Sequence, residues 1–517
     1  MPDEPQPPAI IWIERVIVGC VLLIALFAPH SIAVTQTAWL LGMVLWVGRS
    51  LMFPRPQFFR TPIDYLLLGF FIVSGVSSVL SYAPIVSIGK MRAASLFTIF
   101  YLTVENIRSL RPVRILAIAI VASCMINVVA TAARFGVGKG VKIAQVSNDS
   151  PLRRAIFRSR TTHFPTPIQD GDTIWEIDGT RVTTPEELAA NLAATSDQKL
   201  AQMKIFRLEW TPTVEIERGH LLPGTTAERQ LGISGWSRGR DWRATGFFGH
   251  YVTYAEVLQL IASLAFGMLL ALQRKWTSTG ALLAFAVVGL LFALSLTATR
   301  ASWVGFAASA SLMLLIFASR RTVAFAGLLA IPLILGGIFL LREKRSVGLF
   351  DSQDLSTTWR TTVWREGFGL LISKPRHLLV GIGMDSIKAH WREWRLFDQG
   401  RLPIGHMHSD MLQVALERGV PALLLWLATL GAYAMTLWRT LKLIPKVAAK
   451  DEFLWIDRGI VLGALGGLLG FFVSGLVHYN WGDSEVVMIL YFLMGLSLII
   501  NRQYRVDATV RAERRCE

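Results

Sequence analysis

Apolar stretches recur along the chain at about 12–28, 32–48, 63–80, 85–103, 113–134, 251–272, 280–296, 302–318, 323–341, 419–438, 459–478 and 485–500. About 20 apolar residues in a helix match the thickness of a bilayer's hydrocarbon core. The pattern therefore predicts twelve transmembrane helices, and an even number places both termini on one side. The connections 49–62, 104–114, 273–279, 319–322 and 439–458, and the tail after 500, are rich in Lys and Arg. The opposing short connections at 29–31, 81–84, 297–301 and 479–484 hold a single basic residue, Arg300. Positive residues collect on the cytoplasmic side, so both termini are expected there. Two long segments, roughly 135–250 and 342–418, follow odd-numbered spans and belong outside the cytoplasm, because long loops translocate whatever their charge.

The expected organisation is helices one to five in 1–137, an external insertion in 138–245 and helices six to nine in 246–341. A large external loop follows in 342–418, then the last three helices and a cytoplasmic tail in 419–517.

Composition narrows the class. Of 517 residues 53% are hydrophobic and 17% charged, with a mean hydropathy of +0.46. Soluble domains carry about a quarter charged residues, which excludes a soluble enzyme or a disordered chain. The balance of 52 Lys+Arg against 36 Asp+Glu, net +16, fits basic cytoplasmic loops rather than a nucleic-acid-binding surface. Cys20 and Cys124 lie in apolar stretches and Cys516 in the tail, so no disulfide framework is expected. No CxxC or His/Cys cluster suggests zinc, and no P-loop suggests ATP. The start Met1-Pro2-Asp3-Glu4 lacks the basic stretch of a cleavable signal peptide.

Residues 141–218 read as a small soluble α+β domain. Val141–Val146 alternates as a strand, and Ser150-Pro151-Leu152 begins a helix with proline in its first turn. Gly171–Gly179 is a strand closed by an Asp-Gly turn, Thr184-Pro185-Glu186-Glu187-Leu188 opens a capped helix, and strand-like residues follow at 203–217. The order resembles a PDZ domain, without an evident carboxylate-binding loop and with extra sequence at 156–168. It reads as a module capturing an extended periplasmic peptide or protein, or as a spacer or lid without a ligand.

Charged groups held near a membrane face are functional candidates, because retaining them there is costly. Arg300 stands between two spans. Arg360 and Arg365 lie in the second long loop, and His406 and His408 directly precede an apolar helix containing Gly419. Arginines bind a diphosphate bidentately, and a neutral imidazole removes a proton from an attacking hydroxyl. A lone arginine at a helix end also snorkels to headgroups, and a lone loop histidine is often merely solvated. Lys90 and Arg92, inside the fourth span, fit either a phosphate contact or an internal ion pair.

Four stretches carry a family resemblance. They are Gly246-Phe247-Phe248-Gly249-His250, then Thr299-Arg300-Ala301-Ser302-Trp303, then Trp359-Arg360 and Trp364 followed by Lys374-Pro375 and Gly381-Ile382-Gly383, and finally His408-Ser409 with Gly419. Together with Tyr479–Asp483 before the last span, they make residues 240–500 resemble the O-antigen ligase family of integral-membrane glycosyltransferases, which also includes polymerases and protein O-oligosaccharyltransferases. One departure is Ala422, where the ligase pattern has a second glycine. The insertion is also outside the usual pattern, and it leaves the acceptor open.

The resemblance implies an all-α, GT-C-like polytopic protein of the bacterial inner membrane with a periplasmic active site. The donor would be a glycan on undecaprenyl diphosphate and the acceptor a lipid A–core sugar hydroxyl, joined with inversion and without metal or other cofactor. By position, His408 would be the base, while Arg300 and Arg360 would bind the diphosphate. Lys90, Arg92, His250, Arg365, His406 and Asp483 would contact substrate. The alternatives are a polymerase or protein transferase with the same donor, and a lipid-linked-glycan transporter. A transporter would place its site at the bilayer midplane on repeated or broken helices, and no repeat between the halves is evident.

Overall fold

The computed structural model describes residues 7–158, 163–194, 199–207, 211–317, 355–445 and 452–516. The described residues include ten helices long and apolar enough to cross a membrane, and a shorter apolar helix, Asp64–Val79. These coincide with eleven of the twelve expected spans. The twelfth, 323–341, lies outside the described residues.

The helices begin where local chemistry starts them. Ser31 and Thr277 cap Ile32–Leu51 and Ser278–Leu296 by accepting from the backbone N–H of Val34 and Gly280. Pro8 and Pro84 occupy first turns, where a missing N–H costs nothing. The fourth span is broken: Pro84–Ala94 and Thr98–Asn106 are joined by a 3-10 turn at Ser95–Phe97. The tenth begins earlier than its apolar run suggests, as Asp410–Leu443 rather than at residue 419.

Helices inside a bilayer gain little from hydrophobic contact and rely on close packing. Leu454–Gly475 meets Tyr251–Ala271 through glycines: a Cβ on Gly459 would lie 2.5 Å from the Met268 Cα, and one on Gly463 would lie 2.7 Å from the Leu264 Cα. The buried carboxylate of Asp457 in Leu454–Gly475 is paired. Arg114 holds Asp457 bidentately, Nε to Oδ1 at 2.8 Å and Nη2 to Oδ2 at 2.6 Å, and the Tyr504 hydroxyl also donates to Asp457.

Residues 130–244 form a compact unit of their own. Its antiparallel sheet contains β1 (Val141–Val146), β2 (Ile156–Arg158), β3 (His163–Pro165), β4 (Thr173–Ile177), β5 (Thr180–Arg181), β6 (Leu200–Phe206), β7 (Thr213–Glu217) and β8 (Ile233–Arg238). The order is β3-β2-β7-β6-β4-β1-β8, with β5 hairpinned onto β4. Asp178 and Gly179 both have positive φ, as a tight two-residue hairpin requires. Thr184 caps Pro185–Ala193, and Leu188 joins Ile143, Ile174, Ile205 and Val214 in one apolar core.

Candidate active site

The site is organised by a break in the Asp410–Leu443 helix. Pro421 has no N–H, so the Glu417 carbonyl loses its helical partner. Gly419 departs from helical geometry at φ 84° and ψ 164°, a region open essentially to glycine alone. The freed carbonyls are recaptured from outside the helix. Ile382 N donates to Leu416 O at 2.9 Å, Gly383 N to Glu417 O at 2.9 Å, and the Ser77 hydroxyl to Glu417 O at 2.8 Å. The Gly381-Ile382-Gly383 segment can approach this closely because both glycines have positive φ and no side chain. A Cβ on Gly381 would strike Glu417, and one on Gly383 would strike Ser81.

The residues before the break are held by side chains. Gln413 accepts from Met407 N at 2.7 Å and donates to Glu417 Oε1 at 2.8 Å, while Trp364 Nε1 donates to Met407 O at 2.8 Å. Met407 is thus fixed on both sides, which sets the flanking histidines. His408 has φ 48°, an uncommon left-handed conformation for a residue with a side chain. Its ring packs edge-on against Trp359 at 4.3 Å and lies 4.0 Å from the ring of His406. Burial pushes its pKa down to about 2, with repulsion from His406, Arg360, His478 and His250 adding to the effect. His406 is pushed down to about 4, first by burial, then by Lys388 and His250. Both imidazoles are therefore neutral near pH 7. His406 Nδ1 accepts from His408 N, which leaves the proton of neutral His406 on Nε2.

Beside His406 is a cavity of about 370 Å³. Lys90, Arg92, Lys388, Arg418, Asp483 and Tyr479 contribute to its wall. Asp385 holds Lys388 at 2.9 Å and Lys90 at 3.1 Å. Burial alone would raise the Asp385 pKa, but the hydrogen bonds from the two lysines hold it below the ordinary carboxylate range. Burial pushes Asp483 up, against a hydrogen bond from Thr253 at 2.8 Å.

Lys90, Arg92, His406 and Asp483 thus share one cavity wall, and His408 lies behind His406. Of the two roles open to Lys90, an ion pair is observed. Arg360 and His250 act electrostatically on His408. Arg300 is the half-buried first residue of Arg300–Phe317. Arg365 is exposed, and the five positions from Arg360 along Leu355–Ile372 correspond to about 140° around a helix axis.

Sequence reasoning missed Gln413, Glu417 and Arg418. A signal was available in the charged pair Glu417-Arg418 set against Gly419 and Pro421, two breakers at the head of an apolar run. It missed Asp385 and Lys388 because nothing local distinguishes them from solvated loop residues. Among the described residues no group of three or more His, Cys, Asp or Glu is arranged to hold a metal ion.

No curated protein matches the chain. Residues 285–427, the stretch containing Arg300, Arg360, His406, His408 and Arg418, match the family model described as O-antigen ligase.

Proposed function

We propose that the protein transfers a glycan from undecaprenyl diphosphate to a sugar hydroxyl of lipid A–core at the periplasmic face of the bacterial inner membrane. The observation that carries this reading is a neutral, half-buried His408 beside Arg360 and a cation-lined cavity, within a span matching the O-antigen ligase family. In the proposed reaction, a neutral nitrogen of His408 accepts the proton of the acceptor hydroxyl while that oxygen attacks the anomeric carbon. The bond from the anomeric carbon to the diphosphate oxygen breaks with inversion. Arg300 and Arg360 stabilise the charge gathering on the departing diphosphate, the kind of electrostatic contribution that dominates many such reactions.

Lys90, Arg92, His250, His406 and Asp483 hold the substrates, and Arg365, turned about 140° from Arg360, has the smallest share. No metal is needed where arginines neutralise the diphosphate. The insertion at 138–245 is proposed as a PDZ-like periplasmic docking module outside the chemistry.

The test uses purified protein in detergent with an undecaprenyl-diphosphate-linked glycan, with and without lipid A–core. Transfer that requires lipid A–core supports the ligase. Elongated lipid-linked chains formed without it mean a polymerase, and no product in either case points to a protein acceptor or to transport.

A further inference from the structure

The most deeply placed positive charge of the cavity is Arg418, 6% exposed. A guanidinium carries five N–H donors, and burying them without acceptors is costly. Arg114 meets that requirement with a bidentate carboxylate. Arg418 does not. Its Nη2 donates to the Met384 sulfur at 3.0 Å, and the Tyr479 hydroxyl also interacts with the guanidinium. Its Nη1 lies 3.2 Å from Glu417 Oε2, yet neither Nη1 nor Nε makes a hydrogen bond among the described residues.

Glu417 is already engaged. It accepts from Gln413 at 2.8 Å, from Asp385 N at 2.9 Å and from the Tyr479 hydroxyl at 3.4 Å. At the more open part of the same wall, Lys90 and Lys388 share the single carboxylate of Asp385, leaving one positive charge uncompensated. Arg92 is exposed and adds another, against the one further carboxylate of the wall, Asp483. The cavity therefore has donors and positive charge in excess of its own acceptors. A compact anion with several oxygens satisfies both.

We infer that this cavity binds a phosphate group, with Arg418 as its buried anchor and Lys90, Lys388 and Arg92 completing the site. This is a second anion site, additional to the one proposed for Arg300 and Arg360. The choice of phosphate rests on the glycosyltransferase reading, which offers two sources: the diphosphate of a polyprenyl lipid, or a phosphate on the acceptor saccharide. A guanidinium whose Nε and Nη1 make no hydrogen bond among the described residues calls for the same chemistry in either case.

Full-length protein in nanodiscs of zwitterionic lipid tests this by direct binding. The probes are farnesyl diphosphate, phosphorylated lipid A–core and the same lipid A–core after phosphatase treatment. At least one phosphate probe should bind the wild type, weaken tenfold or more in Arg418→Gln, and recover in part in Arg418→Lys. An Arg418 effect on farnesyl diphosphate assigns the lipid diphosphate. An effect on lipid A–core that disappears with its phosphates assigns the acceptor.

If Arg418→Gln does not fold, the double variant Lys90→Gln with Lys388→Gln should weaken the same probe severalfold. Binding of every phosphate probe that is unchanged in folded variants, or absent in the wild type, overturns the site. Glycan transfer measured on the same wild-type sample separates the two ideas. Transfer without Arg418-dependent binding removes this site alone, whereas Arg418-dependent binding without transfer to any acceptor removes the glycosyltransferase reading.

Discussion

Replacing Gly419 with alanine isolates the feature on which the site is built. Two costs combine. The backbone at φ 84° and ψ 164° lies where a residue with a Cβ is strained by about 1–3 kcal/mol. The new methyl would also sit 2.5 Å from the Leu379 carbonyl oxygen, closer than real Cβ contacts come. The clash falls on backbone, so the 379–383 arm must move by several tenths of an ångström. That arm holds the Leu416 and Glu417 carbonyls through two 2.9 Å hydrogen bonds, each contributing about 1 kcal/mol net. With both bonds lost, total destabilisation is about 3–5 kcal/mol, and Glu417, Arg418 and Gln413 lose their setting. The assay is thermal unfolding of Gly419→Ala in detergent beside glycan transfer. A midpoint lowered by several degrees with transfer reduced at least tenfold is expected. Wild-type values for both would refute the account of the break.

Other consequences separate residues and conditions. Arg360→Ala should lower transfer at least tenfold and Arg365→Ala by no more than about twofold, since only Arg360 acts on His408. Equal losses in steady-state assays would contradict this placement. His406 and His408 resist protonation when folded, whereas the unfolded chain takes up those protons below about pH 6.5. Stability is thus unaffected by them above that pH and falls as pH drops below it, by about 2 kcal/mol per imidazole at pH 5. A flatter pH dependence of the unfolding midpoint in the double variant His406→Gln with His408→Gln is the check.

Much of the fold was legible because membrane helices announce themselves by length and apolarity. Eleven spans coincide with apolar runs, and the Asp178-Gly179 turn and the Thr184 cap follow directly from local chemistry. The break inside the fourth span was not legible: Ser95-Leu96-Phe97 carries no glycine or proline to mark it. The start of the tenth span at Asp410 was hidden because Asp410, Gln413, Glu417 and Arg418 interrupt the apolar residues of 410–418, and their helix is stabilised by Gln413, Glu417 and the 382–383 arm rather than by lipid-like composition. Within the site, His406 and His408 stood out by spacing. Asp385, Lys388 and Arg418 gain their meaning only when chain segments tens of residues apart meet around one cavity, which no local pattern encodes.

The central claim is that His408 is the base. The most direct measurement is turnover of His408→Ala with undecaprenyl-diphosphate-linked glycan and lipid A–core, alongside its unfolding midpoint. General-base catalysis contributes about 10²–10⁴-fold, so turnover should fall at least a hundredfold in a protein that still folds. Near-normal turnover by a folded His408→Ala protein would contradict the account.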